Sequence, residues 1–380
     1  CNNVAIMYAG QIVEQSKVSD FFENPSHPYA RLLLSAVPSA DKSAQTLTGI
    51  AGSVPELSAM PSGCRFAPRC PAAKEACLQK CPAMRPTVPG RLVRCFYPDS
   101  PVTSSTTHLQ KTMRSEETVL KLTDVSVTYG SRGGLFSRQK AFEAVSHATL
   151  SLARGKTLAL VGESGSGKTT LGKAALGLLE NAAVSGSVEI AGEVAFDARG
   201  RFKRHLRSCA QIVFQDPFAS LDPRMSVGEL VSEGIMALCP GLSKADARRK
   251  VSELLDSVGL PAADKRMDNY PHQFSGGMRQ RVVIALALSA DPKLIIADEP
   301  TTALDVSVQA QILNLLREIQ AEQGVSYLFI THNFAVVEFM AHEVAVMQHG
   351  RIVESGTAAE VLTHPQHAYT QTLLAAVPRL

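Results

Sequence analysis

The 380-residue sequence predicts an α/β fold with a mostly parallel sheet flanked by helices, and three observations carry that prediction. Short apolar runs alternate along residues 118–380 with longer amphipathic runs, which is the order of a parallel sheet with crossover helices. Several apolar runs end at polar residues, and one leads directly into a glycine-rich loop. Because ligands bind beyond the carboxyl ends of parallel strands, we expect these polar residues to share one site.

The elements follow from their hydrophobic patterns, taken in chain order. Alternating or continuous apolar runs predict strands at Val119–Tyr129, Ala144–Leu152, Thr157–Val161, Gln211–Phe214, Lys293–Ala297 and Ser326–Ile330. Helical periodicity predicts helices at Leu171–Leu179, Ser243–Val258, Ser275–Ser289 and Val306–Gln323.

The glycine-rich loop has the sequence GESGSGKTT and matches the phosphate-binding pattern G-x-x-x-x-G-K-[ST]. Its glycines permit backbone angles that turn successive N–H groups into one concavity, and the next helix adds its positive end. We expect Lys168 to reach the β- and γ-phosphates and the Thr169 hydroxyl to bind Mg²⁺. The alternative is an ordinary glycine turn, which the flanking strand and helix disfavour. The predicted nucleotide contacts are Gly162, Glu163, Ser164, Gly165, Ser166, Gly167, Lys168, Thr169 and Thr170.

Four polar residues follow the other strands. Asp298 can hold Mg²⁺, often through water, and the neighbouring Glu299 can deprotonate an attacking water. Gln215 can coordinate the metal or the attacking water, and His332 can contact the γ-phosphate. Each has a structural alternative: a helix cap for the two acids, a turn residue for Gln215 and a core histidine for His332.

Two further features concern the nucleotide. Ser275, Gly276 and Gly277 open a helix and form a second anion site, or else an ordinary helix cap. One nucleotide does not need two anion sites in the same domain. The site at Ser275, Gly276 and Gly277 is explained if it binds a nucleotide held by a partner. Tyr129 is suited to stack on adenine, and its alternative is a strand-end aromatic.

The chain also repeats itself. Residues 4–39 and 344–379 align without a gap at an offset of 340, with roughly 15 of 36 positions identical. Each tail predicts a hairpin followed by a helix. The chain begins with Cys1, mid-pattern, so we expect a fragment. Residues 1–39 are then the tail of a first module and 118–380 a complete second one.

A Cys-rich segment at 40–98 and a Ser/Thr-rich linker at 99–117 separate these modules. Cys64, Cys70, Cys77 and Cys95 have the spacing C-x5-C-x6-C-x17-C, with Cys81 additional, and no CxxC pair appears. Four soft thiolates suit an iron–sulfur cluster, with zinc as the second choice. The alternative is a set of reduced, unliganded thiols.

Composition excludes some classes. Hydrophobic residues make up 45% and charged residues 19%, as in globular proteins with a real core. A net charge of +3 gives no electrostatic case for a nucleic-acid partner. No apolar run reaches the length of a membrane span.

Together these motifs resemble the ATP-binding cassette (ABC) ATPases, a family of P-loop NTPases. The resemblance implies an antiparallel β subdomain and a helical subdomain beside the main sheet, with ATP and Mg²⁺ as ligands. It also implies two cassettes that sandwich ATP, with Ser275, Gly276 and Gly277 acting in trans on the partner's nucleotide. The motifs that carry it are GESGSGKTT at 162–170, Gln215, FSGGMRQR at 274–281, LIIADEP at 294–300, TALD at 302–305 and His332.

The resemblance further assigns roles to single residues. Glu299 is the catalytic base, His332 the γ-phosphate contact and Asp305 an interface residue. Phe274 and Met278 depart from the commoner LSGGQ signature, and we expect activity to survive because Ser275 and Gly277 remain.

The paired tails with P-x-H-x-Y and L-L-x-A-V-P, and GCRFAPRCP at 63–71, resemble the oligopeptide/dipeptide importer ATPases. Similar segments in that group bind a [4Fe–4S] cluster. The resemblance implies a tandem second cassette and membrane permease subunits, which contact DPFASLDPRM at 216–225. It also implies an external solute-binding protein and a peripheral position on the cytoplasmic side of the membrane. The alternative function is a soluble cassette protein without a permease, such as a translation or DNA-repair factor.

Overall fold

The computed structural model describes residues 1–38, 47, 49–52, 54–55, 59–102, 117–130, 141–238 and 241–377. These residues divide into two compact units. The first comprises the described residues up to 102 together with Asp305–Gln311, and the second comprises 117–304 and 312–377. Most of the predicted linker at 99–117 lies outside the described residues.

The first unit contains a four-stranded antiparallel sheet in the order β1-β2-β4-β3. Its elements in chain order are β1 (Asn3–Tyr8), β2 (Gln11–Lys17), α1 (Val18–Glu23), α2 (Pro28–Ser35), a 3-10 turn (Ala67–Arg69), α3 (Glu75–Gln79), β3 (Arg85–Val88) and β4 (Arg91–Val93).

From residue 117 onward, the described chain has ten strands and eleven α-helices, together with one 3-10 turn at Pro271–Gln273. The strands are β5 (Thr118–Tyr129), β6 (Phe142–Ala153), β7 (Thr157–Val161), β8 (Ala182–Ile190), β9 (Glu193–Val194), β10 (Ala210–Val213), β11 (Leu294–Asp298), β12 (Ser326–Ile330), β13 (Glu343–Gln348) and β14 (Arg351–Thr357). The helices are α4 (Lys168–Ala175), α5 (Leu206–Cys209), α6 (Pro217–Ser220), α7 (Val227–Leu238), α8 (Lys244–Ser257), α9 (Ala263–Arg266), α10 (Gly276–Leu288), α11 (Val306–Gln323), α12 (Phe334–Met340), α13 (Ala358–Thr363) and α14 (Ala368–Ala375).

The main sheet of the second unit has the order β10-β11-β12-β7-β13-β14. The first five strands are parallel, and β14 joins the edge antiparallel to β13. Every residue of β7, β11 and β12 is buried, as expected for strands covered on both faces. The predicted mostly parallel sheet is therefore confirmed, and its carboxyl edge collects the residues after β7, β10, β11 and β12.

A second, antiparallel sheet has the order β6-β5-β8-β9, and helices α6 to α10 lie between β10 and β11 in the chain. Both subdomains implied by the resemblance are present. The sequence did not predict β8 or α7. Gly186 interrupts β8, where a Cβ would lie 2.3 Å from the Asp124 carbonyl oxygen. Two glycines, Gly228 and Gly234, interrupt the helical signal of α7.

The two tails have the same local structure, which confirms the predicted hairpin and helix in each. Strands β1 and β2 pair with a bulge between Ile6 and Met7, and β13 and β14 pair with a bulge between Val346 and Met347. Their surroundings differ. Strand β13 also pairs with β7, whereas β1 pairs only with β2 among the described residues.

Candidate active site

The phosphate loop connects β7 to α4. Gly162 and Gly167 have φ values of +150° and +105°. A Cβ at Gly162 would lie 2.1 Å from the Met347 carbonyl oxygen, so the loop requires glycine for space as well as conformation. The Lys168 ammonium lies inside the loop, where it donates to the carbonyls of Gly162 at 2.9 Å and Glu163 at 2.7 Å.

Lys168 is almost fully buried. Burial lowers the pKa of its ammonium, while the carboxylates of Glu299, Asp298 and Glu163 act to raise it. The charge of Lys168 is therefore held next to two acids at the carboxyl edge of the sheet. A phosphate entering the loop would meet a cation that has already lost most of its water.

The metal side of the site joins two predicted residues. The Thr169 hydroxyl donates to Oδ1 of Asp298 at 2.9 Å. Burial raises the pKa of the Asp298 carboxyl, and the hydrogen bond from Thr169 opposes that shift. A hydroxyl and a carboxylate oxygen at this spacing are the oxygen donors that Mg²⁺ prefers, so the residues fit the predicted ion.

Glu299 is the centre of a second cluster. Its φ is +47°, a left-handed conformation that is unusual for a residue with a side chain. Its Oε1 lies 3.0 Å from Nδ1 of His332, and its Oε2 accepts from Nε2 of Gln215 at 3.0 Å. The structure thus brings together the three residues predicted to be catalytic.

Sequence reasoning missed two contacts at this site. The Thr302 hydroxyl donates to Oε2 of Glu299 at 3.0 Å, whereas the sequence marks Thr302 only as the first residue of the TALD motif. The Glu163 N–H donates to the hydroxyl of Tyr369 in α14 at 3.1 Å. The shared Tyr29 and Tyr369 of the repeat were a signal, but 206 residues separate Tyr369 from the loop.

The structure does not join the remaining predicted residues to this cluster. The Ser275 hydroxyl accepts from the Met278 N–H at 3.4 Å and so caps α10, with Gly276 and Gly277 in the first turn. In the described part of the chain, no hydrogen bond links these residues to the phosphate loop. Tyr129 ends β5 and packs against the core of the second unit, so its contact with adenine stays a prediction.

One cavity of the first unit is lined by the four predicted ligands, Cys64, Cys70, Cys77 and Cys95. Burial raises the pKa of the Cys95 thiol to about 11, and the neighbouring thiols add to the shift. Cys81 is exposed and lies beside Gln11.

As they stand, no three His, Cys, Asp or Glu side chains in the described ranges are arranged to hold a metal ion. The four cysteines line one cavity, but a thiolate-bound centre there stays a prediction.

Among the described residues, no helix has both the length and the apolar character needed to cross a bilayer.

Two protein-family models match segments of this chain. The family described as "ABC transporter" matches residues 145–302. The family described as "Oligopeptide/dipeptide transporter, C-terminal region" matches twice, at 13–77 and 353–380, so it covers both repeated tails.

Curated relatives align over nearly the whole chain. The oligopeptide transport ATP-binding protein OppD of Mycobacterium tuberculosis is 41% identical over 388 residues, which is 98% of this chain and 62% of the relative. The glutathione import ATP-binding protein GsiA of Escherichia coli is 39% identical over 387 residues, which is 99% of this chain and 53% of the relative. The chain thus spans between about half and three-fifths of the length of these relatives.

Solved structures match about two thirds of the chain. The cbiO1 protein of Clostridium perfringens, part of the ABC transporter complex cbiONQ, is 30% identical with a TM-score of 0.55. The match covers 66% of this chain and 92% of that one. The cassette MJ0796, in a dimeric form bound to ADP and phosphate, is 26% identical with a TM-score of 0.54 over 63% of this chain and 98% of its own. On its motifs, fold and relatives, the chain belongs to the ATP-binding cassette family of transporter ATPases.

Proposed function

We propose that this chain binds and hydrolyses ATP to drive the import of peptides or related small solutes through a membrane permease. The observation that carries the proposal is the convergence of Lys168, Asp298 and Glu299 at one edge of the sheet, with Thr169 and His332 in hydrogen-bond contact with the two acids. The relatives are oligopeptide and glutathione import ATP-binding proteins, which supports the solute class.

In this proposal the loop amides and Lys168 bind the phosphates, and the positive end of α4 adds to that attraction. Thr169, Asp298 and Gln215 would hold Mg²⁺, which when bound neutralises charge on the β- and γ-phosphates. Glu299 orients the attacking water and accepts its proton. His332, whose Nδ1 is directed to Glu299, contacts the γ-phosphate through its other ring nitrogen.

The Ser275, Gly276 and Gly277 segment serves a nucleotide held by a second cassette. The repeat supports a tandem arrangement, with residues 1–39 as the tail of a first cassette and 118–380 as the complete second one. Strand β13 pairs with β7, which leads to the phosphate loop, while the matching edge of β1 has no partner strand in the described part of the chain. We infer that β1 receives the corresponding strand of the first cassette.

The permease contact is assigned to residues 216–225. Phe218 in α6 is 64% exposed, and the Arg279 guanidinium lies 3.7 Å from the centre of its ring. A rigid, exposed aromatic side chain suits insertion into a partner surface. The chain then sits peripherally on the cytoplasmic side of the membrane, and the extracytoplasmic solute-binding protein acts only through the permease.

The cysteine cavity is assigned to a [4Fe–4S] cluster held by Cys64, Cys70, Cys77 and Cys95, with zinc as the second choice. Spacing without a CxxC pair and the gathering of four thiols at one cavity support the cluster. The cluster would lie at a site separate from the nucleotide, and the proposed ATP-driven import does not require it.

Affinity purification from detergent-solubilised membranes of the source organism tests the transport function. Tagged chain should recover multispanning permease subunits, and Phe218→Asp should reduce that recovery strongly. Phe142→Asp is the matched control, because Phe142 is 65% exposed but lies on the antiparallel sheet. Recovery of ribosomes or DNA in place of a permease would contradict the importer function.

The catalytic role of Glu299 has its own test. Glu299→Gln should retain bound ATP and reduce turnover at least 100-fold, because it removes the general base. Glu253→Gln is the control and should leave turnover unchanged, because Glu253 is an exposed residue of α8. Unaltered hydrolysis of radiolabelled ATP by the Glu299 variant would refute the assignment.

A further inference from the structure

Arg279, near the start of α10, is a buried cation whose charge no carboxylate balances. It is only 8% exposed, and it forms no ion pair within the part of the chain that the structure describes. Two other contacts hold its guanidinium. The Nε–H donates to the Pro271 carbonyl oxygen at 2.7 Å, and the central carbon lies 3.7 Å from the centre of the Phe218 ring. Because an unpaired buried charge is costly, this arrangement calls for an explanation.

The two contacts join three segments of the second unit. Pro271 belongs to the 3-10 turn that directly precedes Phe274 and Ser275. The backbone N–H of Arg279 donates to the Ser275 carbonyl oxygen at 2.9 Å, in the first turn of the helix that Ser275 caps. Phe218 belongs to α6, the proposed permease contact. The side chain of Arg279 therefore lies between that contact and the segment proposed to bind a partner's nucleotide.

Arginine fits this position because of its shape. A guanidinium is flat, so one face can stack on a ring while an N–H at its edge donates to a carbonyl. The Phe218 end is held in place as well, since the Asp216 carboxylate accepts the Phe218 N–H at 2.8 Å. Both contacts act on one rigid group. A displacement of the Phe218 ring would therefore displace the guanidinium and, through Pro271, the turn before Ser275.

A second stack in the same unit provides a comparison. The guanidinium carbon of Arg317 in α11 lies 4.5 Å from the centre of the Phe339 ring in α12. Neither residue belongs to the predicted nucleotide contacts or to residues 216–225. Arg317 is therefore a matched control for an arginine that stacks on a phenylalanine without joining those two segments.

We propose that Arg279 is a positioning residue that transmits permease binding at Phe218 to the Ser275 end of α10. The inference rests on the proposed function and concerns how the same interface controls hydrolysis. When the permease contacts Phe218, the ring and the guanidinium shift together, and the turn at Pro271 changes the position of Ser275. In this role Arg279 acts through Ser275 and does not contact the reacting atoms.

The test uses the chain in complex with the permease subunits that it recovers from membranes. Hydrogen exchange measured by mass spectrometry compares residues 216–221 and 270–279 with and without the permease. ATP hydrolysis is measured in both states. Arg279→Lys keeps the charge but loses the flat group and the Nε–H, and Arg317→Lys makes the same change in the control stack.

In the unsubstituted chain, permease binding should change exchange in both segments. Arg279→Lys should keep the change at 216–221 and lose the change at 270–279, which a merely structural role would not produce. The ratio of the hydrolysis rates with and without the permease should fall about threefold to thirtyfold. Permease recovery should not change. Arg317→Lys should match the unsubstituted chain in the exchange response and in this ratio.

A second substitution tests whether the two side chains act through one contact. Phe218→Leu keeps an apolar side chain for the permease and removes the ring. It should also lose the response at 270–279, and adding it to Arg279→Lys should lower the ratio no further. A ratio in the double variant equal to the product of the two separate losses would contradict a shared contact.

The remaining outcomes separate this inference from the proposed function. An unchanged response at 270–279 and an unchanged ratio in Arg279→Lys would overturn the role of Arg279 and leave the permease contact standing. Loss of the response in both segments would overturn it too, because Arg279 would then belong to the interface itself. A permease that alters exchange at 216–221 alone in the unsubstituted chain would refute the inference without any variant. Recovery of no permease would contradict the proposed function, and the inference with it.

Discussion

The two tails offer a matched pair of buried and exposed carboxylates. Glu14 is fully buried and accepts the backbone N–H groups of Ser26 and His27, the latter at 2.7 Å. Glu354 accepts the equivalent N–H groups of Gln366 and His367 but is partly exposed. Glutamine at either position keeps the side-chain shape and removes the charge.

The difference between the two sites is Arg91 in β4, which lies beside Glu14. Its Nε is 3.8 Å from Oε1 of Glu14, and it donates to Ser26 Oγ and to the Asp20 carbonyl. Breaking a buried ion pair from one side costs about 3–5 kcal/mol because the other charge stays buried. Glu354 has no ion-pair partner among the described residues, so its loss should cost about 1–2 kcal/mol.

Hydrogen exchange measured by mass spectrometry reads local opening in both tails of the same molecule. We expect Glu14→Gln to accelerate exchange around residues 24–31 by about 30- to 100-fold more than Glu354→Gln does around 364–371. Adding Arg91→Met to Glu14→Gln should recover part of the loss, since it removes the uncompensated charge. Equal effects in the two tails would show that Arg91 does not stabilise the first one.

Three further predictions concern the second unit. Thr302→Val should lower kcat about tenfold, because it removes a hydrogen bond to the Glu299 carboxylate. Thr302→Ser keeps the hydroxyl and should retain activity. A kcat of Thr302→Val equal to that of the unsubstituted chain would refute this role of Thr302. Tyr369→Phe should weaken nucleotide binding about threefold to tenfold in a fluorescence titration, with Tyr29→Phe in the first tail as the control; unchanged affinity would refute the contact. Although burial acts to raise it, the hydrogen bonds that Glu354 accepts lower the pKa of its carboxyl. Its stabilisation is then present above the ordinary pKa of about 4.3 and lost as the pH falls through the lowered value. Exchange in 351–375, divided by the intrinsic rate at each pH between about 3 and 6, would show the loss; protection that does not fall on acidification would contradict it.

The parts of the site that sequence predicted are those fixed by local structure. Lys168 and Thr169 follow a strand in a known loop pattern, and Asp298, Glu299 and His332 follow neighbouring parallel strands. Parallel strands end at the same edge, so their order along the chain is enough to predict that these residues meet.

The parts that sequence missed depend on tertiary packing. Tyr369 contacts the phosphate loop across 206 residues of sequence, and Thr302 donates to a Glu299 whose positive φ the sequence does not reveal.

The open edge of β1 has a practical consequence for handling the protein. Six residues of strand, Asn3–Tyr8, present backbone groups without a partner strand in the described part of the chain, and Met7 is 60% exposed. Such an edge is a template for pairing with a second molecule. We therefore expect residues 1–380 expressed alone to self-associate as concentration rises, and a lysine at Met7 to keep them dispersed.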